Sequence, residues 1–399
     1  MNSFQITKKD KKTRARLGVL TTPHGVVNTP SYVFVGTYGR FLHLDHEDLK
    51  RTKSQIFIAN TFHLWEKALK SKLREGFIHN SFGFDIPIMT DSGGFQVLSL
   101  AFGDKSKVGK FMTGETTDPI KRTKIRITQK GVHFDFKGKK MFLGPELSMK
   151  LQRIIGADII FAFDHITSPL DDFAYNQKAL ELTNKWAHIC LKEHEKQSRL
   201  RKRSGEPRQM LFGIVQGGIY PALRKKSAKY IGSLPFDGFG IGGAYTKKQI
   251  AKVLKLIIPH LPEEKPRHLL GVGKVADIFE AIENGIDMFD CVIPTREARH
   301  GRLYTRAGYM DIRRGAYTKD KKVIEKGCGC PTCSGGISRA EIRALIKNVD
   351  REQNARGQRW CLMHNMWFFN QLLEDIRNSL GTSSYQRLKT KMLKNFPTA

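Results

Sequence analysis

Ile86-Pro-Ile-Met-Thr-Asp-Ser-Gly-Gly-Phe-Gln96 holds the organisation of the chain in miniature. An apolar run too short for a helix ends on a carboxylate, and a Gly-Gly pair then turns the chain into a helical segment. The same unit recurs along the sequence. Apolar runs of this kind occupy residues 32–35, 55–59, 86–90, 158–163, 210–215, 239–241, 268–270 and 288–293, eight in all. Between them, residues 146–155, 172–200, 221–231, 247–258 and 275–284 carry helical spacing, the longest with Ala179, Leu182, Trp186, Ile189 and Cys190 on one face.

Strands buried on both faces read as continuous apolar runs, so eight of them alternating with helices predict an α/β fold, a (β/α)8 TIM barrel. A doubly wound sheet is disfavoured because no G-x-G-x-x-G follows the first run. Gly36, Asn60, Asp91, Asp164, Gln216, Gly242 and Gly271 stand at or just beyond the ends of the runs, and Asp290 lies inside the last one. In a barrel these positions converge on the face that carries active sites.

The expected division is an N-terminal hairpin cap over 1–30, the barrel over 31–310 with a basic hairpin inserted at about 103–140, and a zinc-binding subdomain with C-terminal helices over 311–399. The cap rests on Leu17–Pro30, punctuated by Pro23, Gly25 and Pro30. The insertion rests on eleven Lys or Arg residues between Lys105 and Lys140 and on two β-like stretches, 125–128 and 132–136, flanking a Gln-Lys-Gly turn. A second basic segment, 196–208, reads as a charged loop or a frayed helix end, with the solvated loop preferred.

A chain of 399 residues has room for such a core. Its formal net charge of +30 points to a polyanionic partner, nucleic acid before membrane, with a solvated lysine coat as the plain alternative. No run reaches the ~18 apolar residues of a membrane span, and the lysine-rich start lacks the apolar stretch of a signal peptide. A cytoplasmic protein is expected. Of six cysteines, three are clustered and Cys190, Cys291 and Cys361 are scattered, which does not make a disulfide framework.

The cluster is Lys326-Gly-Cys-Gly-Cys-Pro-Thr-Cys333. Cys328, Cys330 and Cys333 place three thiolates on one turn, and a returning His364 completes the Cys3His tetrahedron of a structural zinc, one Zn2+ per chain. Cys361 is the alternative fourth ligand. His364 is preferred because Met366, Phe369, Leu372, Leu373 and Ile376 suggest that it opens an amphipathic helix. Ser338 and Glu341 read as the capping box of an intervening helix. Four protein ligands leave no place for a reactive water, so the metal is expected to hold structure.

The run ends supply a different chemistry. Phe95, beyond the Gly93-Gly94 turn, offers a stacking face for a splayed-out base. Asp164, Gln216 and the glycine-rich stretch Gly240–Ala244 offer an acid, an amide and close-approach backbone, which together match the edge of a purine. Asp91 and Asp290 near one pocket suit double displacement at an anomeric carbon, one as nucleophile and the other as acid then base. Cys291 reads as a buried thiol.

Thr22-Pro-His-Gly25, Ala59-Asn-Thr-Phe-His63, Asp91-Ser-Gly-Gly-Phe-Gln96, Ala162-Phe-Asp164, Ile214-Val-Gln-Gly-Gly218, Ile241-Gly-Gly243, Leu270-Gly-Val-Gly273, Asp287-Met-Phe-Asp-Cys291, Pro294-Thr-Arg296, the cysteine cluster and His364-Asn365 together resemble the tRNA-guanine transglycosylase (queuine tRNA-ribosyltransferase) family, bacterial-type catalytic subunit. The resemblance runs in order from about residue 17 to about residue 370. It implies a (β/α)8 barrel with a zinc subdomain that acts as a pentosyltransferase, exchanging guanine at the wobble position (G34) of tRNA with a GUN anticodon for a 7-deazaguanine, preQ1 or queuine, in queuosine modification. Asp290 looks like the nucleophile that forms a covalent aspartyl-ribose intermediate, and Asp91 like the general acid/base. Asn60 would orient Asp91. Phe95 and Leu270 would sandwich the base, while Ser92, Asp164, Gln216, Gly243 and Ala244 would line its site. Arg296 and Arg299 stand where the family contacts the anticodon loop. A homodimer is implied, and no nucleotide cofactor.

The sequence departs from the family pattern at His165-Ile-Thr-Ser-Pro169, at Ala244-Tyr-Thr-Lys-Lys248, in a longer gap between Cys333 and His364, and in the enlarged basic insertion. The first two flank the base pocket and leave the choice among preQ1, preQ0 and queuine open. The chain leaves no room for the additional C-terminal RNA-binding domains of archaeal members.

Overall fold

The computed structural model of the protein describes residues 3–70, 77–100, 125–243 and 249–397. The chain opens with an antiparallel sheet of β1 (Ser3–Lys9), β2 (Arg16–Thr22) and β3 (Gly25–Thr29). The expected hairpin is therefore extended by a third strand that apolar patterning does not reveal, since most of β1 is solvent-facing. Burial in β2 alternates strictly, and Leu20 and Val27 join the apolar cluster inside the barrel. The sheet thus plugs the barrel's N-terminal end.

The barrel strands are β4 (Ser31–Val35), β5 (Phe57–Ala59) and β6 (Ile88–Thr90). An inserted sheet of β7 (Ile125–Thr128), β8 (Gly131–Phe136) and β9 (Lys139–Leu143) follows. The barrel then resumes with β10 (Ile159–Phe161), β11 (Met210–Val215), β12 (Gly238–Ile241), β13 (Arg267–Leu269) and β14 (Met288–Cys291). All eight barrel strands are parallel and close in the order β10-β11-β12-β13-β14-β4-β5-β6. Two pairings complete the circle: Met288↔Ser31 through Cys291↔Phe34, and Met89↔Ile159 across the insertion. The expected (β/α)8 barrel is the observed fold, with the last strand ending earlier than its apolar run because Ile293 already begins a helix.

Side chains of a strand alternate between faces, and here the two faces make two separate cores. Val33, Ile58, Met89, Ile159, Phe161, Met210, Phe212, Ile214 and Met288 fill the interior. Tyr32, Phe34, Phe57, Ile88, Ile160, Leu211, Phe239, Leu269 and Phe289 point out beneath the helices. In β12 the interior positions are glycines, and a Cβ on Gly240 would lie 2.6 Å from Ile214 Cδ1 and one on Gly238 2.5 Å from Phe212. Their bareness makes room for large neighbours.

The inserted sheet docks on the outside of the barrel beside the mouth. Phe134 packs against Phe62 and Trp65, with ring centroids 5.9 and 6.3 Å apart, and Trp186 Nε1 donates to the Gln129 carbonyl at 2.8 Å. The hairpin expected over 125–136 is present and β9 is added to it; residues 105–124 of the basic insertion lie outside the described residues.

The solvated loop expected at 196–208 is a correction. Helix Phe173–Arg203 runs through most of it. Basic residues suit a helix C-terminus, where carbonyls point out unpaired. Arg201 turns inward and is buried, donating to Pro207 O at 2.7 Å and to Arg153 O at 3.3 Å, with Glu206 at 3.3 Å as counter-ion.

After the barrel come a hairpin, β15 (Arg302–Thr305) with β16 (Gly308–Asp311), and helices Pro331–Ser334, Arg339–Ile346, Arg351–Ser379 and Ser383–Asn395. Ser338 caps the second of these, its side chain accepting from Glu341 N. His364 does not open a helix as expected but lies midway along Arg351–Ser379, whose first turns hide their helicity in polar sequence and are capped by Asp350. That helix clamps the barrel: Phe369 lies 5.0 Å from Tyr32 between ring centroids, and Arg359 makes a bidentate pair with buried Asp48, both contacts 2.7 Å. Among the described residues no helix is long and apolar enough to cross a membrane.

Candidate active site

Interior parity, continued past the strand ends, sets the site. Ile58 is followed two residues on by Asn60, Met89 by Asp91, Ile214 by Gln216 and Met288 by Asp290, so four of the expected polar residues rise from interior positions at the C-terminal mouth. Asp164 lies three residues past Phe161 and reaches the mouth from the loop instead.

Among the described residues, Asp91 is held by neutral donors. Its Oδ1 accepts from Thr61 N at 3.0 Å and Gly93 N at 3.1 Å, and Oδ2 accepts from Asn60 Nδ2. Asn60 is itself fixed, because its Oδ1 accepts from His63 N at 3.1 Å. Desolvation pushes the Asp91 carboxyl up to about 7, Asp290 adds to the rise, and the Thr61 and Gly93 amides partly oppose it. A carboxyl so placed can both give and take a proton near neutrality.

Asp290 projects from β14 with a small part of its surface open. His268 Nε2 lies 2.8 Å from its Oδ1, and Gly271 N donates to the same oxygen at 3.3 Å. Sequence reasoning missed His268, which looked like a lone histidine in an apolar run. Counting back two from Leu270 would have placed it on the interior, on the strand paired with that of Asp290.

Asp164 and Gln216 are buried and joined through Gln216 Nε2 and Asp164 Oδ2. Desolvation raises the Asp164 carboxyl to about 6, with the Gln216 contact opposing. Gln216 Oε1 is buried without a hydrogen-bond partner among the described residues, an acceptor beside the acid. Gly243, at φ +98°, leaves no room for a side chain, as a Cβ there would lie 2.6 Å from that same oxygen. The two glycines after Gln216 are explained by packing. A Cβ on the first would lie 2.6 Å from Arg224 N, and on the second 2.2 Å from Asn176 Oδ1, so both are bare for packing.

Phe95, on helix Gly94–Leu100, is 36 % exposed, enough to offer its ring face at the mouth. Leu270 is half-buried just past β13, within 3.4 Å of the space a Gly242 Cβ would fill. Ser92 is buried with its Oγ accepting from Gly94 N at 3.4 Å and its carbonyl accepting from Ser148 Oγ at 2.8 Å, so its side chain shapes the turn. Ala244 lies outside the described residues. Arg296 and Arg299 sit one turn apart on helix Ile293–Arg299, directly after β14, and neither is ion-paired among the described residues. Burial and the neighbouring Arg296 hold Arg299 below the usual guanidinium range.

After the barrel, Cys328, Cys330, Cys333 and His364 bring their ligand atoms within 4.8 Å of one another. His364 Nδ1 lies 3.3 Å from Cys330 Sγ and 3.6 Å from Cys333 Sγ. Its Nε2 is 2.7 Å from the Tyr304 carbonyl, which can only accept a hydrogen bond, so the proton sits on Nε2 and the Nδ1 lone pair faces the thiols. The set fits a tetrahedral metal ion. Cys361 is buried but not part of this cluster, in which His364 stands beside the three cysteines. The next residue, Asn365, donates to Pro294 O and Arg302 O, both at 3.0 Å, and so ties the metal-binding unit to the helix that carries Arg296 and Arg299.

The family model for queuine tRNA-ribosyltransferase matches residues 10–398. The chain is also similar to proteins named queuine tRNA-ribosyltransferase from Clostridium perfringens, 36% identical over 98% of both chains, and from Halothermothrix orenii, 36% identical over 99% of this chain and 98% of that one. A third, from Shouchella clausii, is 38% identical over 95% of this chain and 92% of its own. With the closed barrel and the Cys3His cluster, these matches place the chain in the queuine tRNA-ribosyltransferase family of pentosyltransferases.

Proposed function

We propose that the protein exchanges guanine at position 34 of tRNAs with a GUN anticodon for a 7-deazaguanine, preQ1 or queuine, through a covalent aspartyl-ribose intermediate. One observation carries this most directly: two carboxylates of unlike character share the mouth. Asp91 is held near neutrality at about 7, while Asp290 keeps its Oδ2 free of any hydrogen bond among the described residues.

In the first half-reaction an Asp290 oxygen attacks ribose C1′, the glycosidic bond to guanine breaks, and Asp91 gives its proton to the departing base. In the second, Asp91 takes a proton from the incoming 7-deazaguanine, whose nitrogen bonds to C1′ as the bond to Asp290 breaks. Each bond formed replaces one lost, so no redox partner is needed. Phe95 and Leu270 sandwich the base. Asp164 accepts from its ring and exocyclic N–H groups, Gln216 Oε1 is a further acceptor, and the backbone at Gly243 and Ala244 completes the edge.

Arg296 and Arg299, without internal counter-ions, contact the anticodon loop, and the net charge of +30 draws the tRNA in. The Cys3His cluster holds one structural zinc, which supplies no chemistry at the mouth; elemental analysis finding none in active protein would refute this. The chain works as a cytoplasmic homodimer built of an N-terminal cap, the barrel and the metal-binding unit.

A non-catalytic partner subunit of the same family is the competing reading, and the presence of both carboxylates disfavours it. Incubation with a GUN-anticodon tRNA and labelled guanine decides between them. Label should enter at position 34 alone, and tRNA with another base there should take up none. Binding of tRNA without any incorporation would favour the silent subunit.

A further inference from the structure

The two mouth carboxylates differ in how their oxygens are used. Both oxygens of Asp91 accept hydrogen bonds, whereas on Asp290 His268 and Gly271 both converge on Oδ1. We propose that His268 is a positioning residue for the displacement: it pins Oδ1 and thereby selects Oδ2 as the oxygen that attacks ribose C1′. The inference rests on the reading of Asp290 as nucleophile.

The environment of His268 fixes its form. The residue is fully buried, facing inward from β13, with the Phe161 ring 5.5 Å away between centroids. Its Nδ1 is buried with no hydrogen-bond partner among the described residues. A proton on that nitrogen would be stranded in an apolar wall, while a proton on Nε2 meets the carboxylate at 2.8 Å. The tautomer bearing hydrogen on Nε2 is therefore the one selected, and the ring donates to Asp290 rather than accepting from it. Held at one oxygen by a rigid ring and by the Gly271 amide, the carboxylate loses its freedom to rotate. A nucleophile held near its attack geometry reacts faster without binding tRNA more tightly.

The test uses the full-length protein carrying its metal, with His268→Leu and His268→Gln as the two variants. The glutamine amide reaches as far as the imidazole Nε2 and keeps a donor, while leucine keeps only volume. Single-turnover formation of the covalent RNA adduct is followed on denaturing gels, with tRNA affinity measured separately. Loss of a hydrogen bond to a charged group predicts about 10- to 100-fold slower adduct formation in His268→Leu, with tRNA affinity unchanged. His268→Gln should recover most of the rate. Wild-type adduct rates in His268→Leu would overturn the proposal. So would equal losses of rate and tRNA affinity in both variants, since that pattern marks a structural role. Asp290→Asn, run alongside, separates the two layers: an adduct that persists there removes Asp290 as nucleophile, whatever His268 does.

Discussion

At the bottom of the barrel, Asp158, Asp237 and Asp287 each stand immediately before a strand, and each accepts a backbone N–H from the strand beside it: Ile88 N at 2.9 Å, Leu211 N at 2.8 Å and Arg267 N at 2.8 Å. Each also has a basic partner. Asp287 is chelated by Arg16 at 2.8 and 2.6 Å with both side chains buried, Asp237 pairs with Arg208 at 2.9 Å, and Asp158 meets His24 at 2.7 Å and His79 at 3.3 Å. At the mouth, the hydrogen-bond donors to Asp91 and Asp164 among the described residues are amides, with no basic partner. The same side chain therefore behaves in opposite ways. Asp158 is held down to about 2, the histidines overcoming its desolvation, while desolvation wins at Asp91 and lifts it to about 7.

The pH consequences have opposite sign. A depressed carboxyl such as Asp158 contributes stability that is present above the ordinary value of 3.8 and is lost as pH falls towards about 2. A raised one such as Asp91 favours the folded state below 3.8, and that contribution fades as pH rises through about 7. One end of the barrel is built for stability and the other holds charge at a cost that serves reactivity.

The largest effect that sharpens this contrast is expected from Asp91→Asn. Exchange should fall by about 10²- to 10⁴-fold, the usual worth of a general acid/base. The melting midpoint at pH 8 should hold or rise, because a poorly solvated charge has been removed. A clear drop in that midpoint would mean Asp91 is structural. In the wild type, adduct formation should decline as pH rises through about 7, where Asp91 loses its proton.

Next comes Arg16→Met at the other end. It strands the buried Asp287 carboxylate and should cost about 3–5 kcal/mol in denaturant unfolding, with exchange per folded molecule unchanged. A cost under about 1 kcal/mol, the range of exposed pairs, would remove the distinction between the two ends. The smallest effect concerns Asp158→Asn, which should flatten the loss of stability between pH 4 and about 2 while lowering stability at neutrality. An acid limb identical to wild type would place the sensitivity elsewhere.

Much of this was legible in the sequence, for identifiable physical reasons. Parallel strands covered on both faces read as apolar runs, and their period of two carries Asn60, Asp91, Gln216 and Asp290 to one end. The cysteine spacing announced itself, and the fold brings His364 rather than Cys361 beside the three thiols. What stayed hidden lacked a periodic signal. β1 shows most of its side chains to water, and Arg201 looks solvated in sequence until the helix end folds it inward. The glycines of Gly213–Gly218 carry no periodic signal either, and only tertiary contacts with Phe236, Arg224 and Asn176 explain them. The acids before strands were also overlooked, although Ala157-Asp-Ile, Phe236-Asp-Gly and Ile286-Asp-Met repeat the pattern.

The division of labour between the two mouth acids is tested most directly by trapping the covalent adduct. Wild type, Asp290→Asn and Asp91→Asn are mixed with tRNA, with and without a 7-deazaguanine, and resolved on denaturing gels. Asp290→Asn should bind tRNA and yield no covalent band, because an amide cannot serve as the displacing carboxylate. Asp91→Asn should still give a trace of band while turnover collapses. A band that persists in Asp290→Asn and vanishes in Asp91→Asn would contradict the account and make Asp91 the nucleophile.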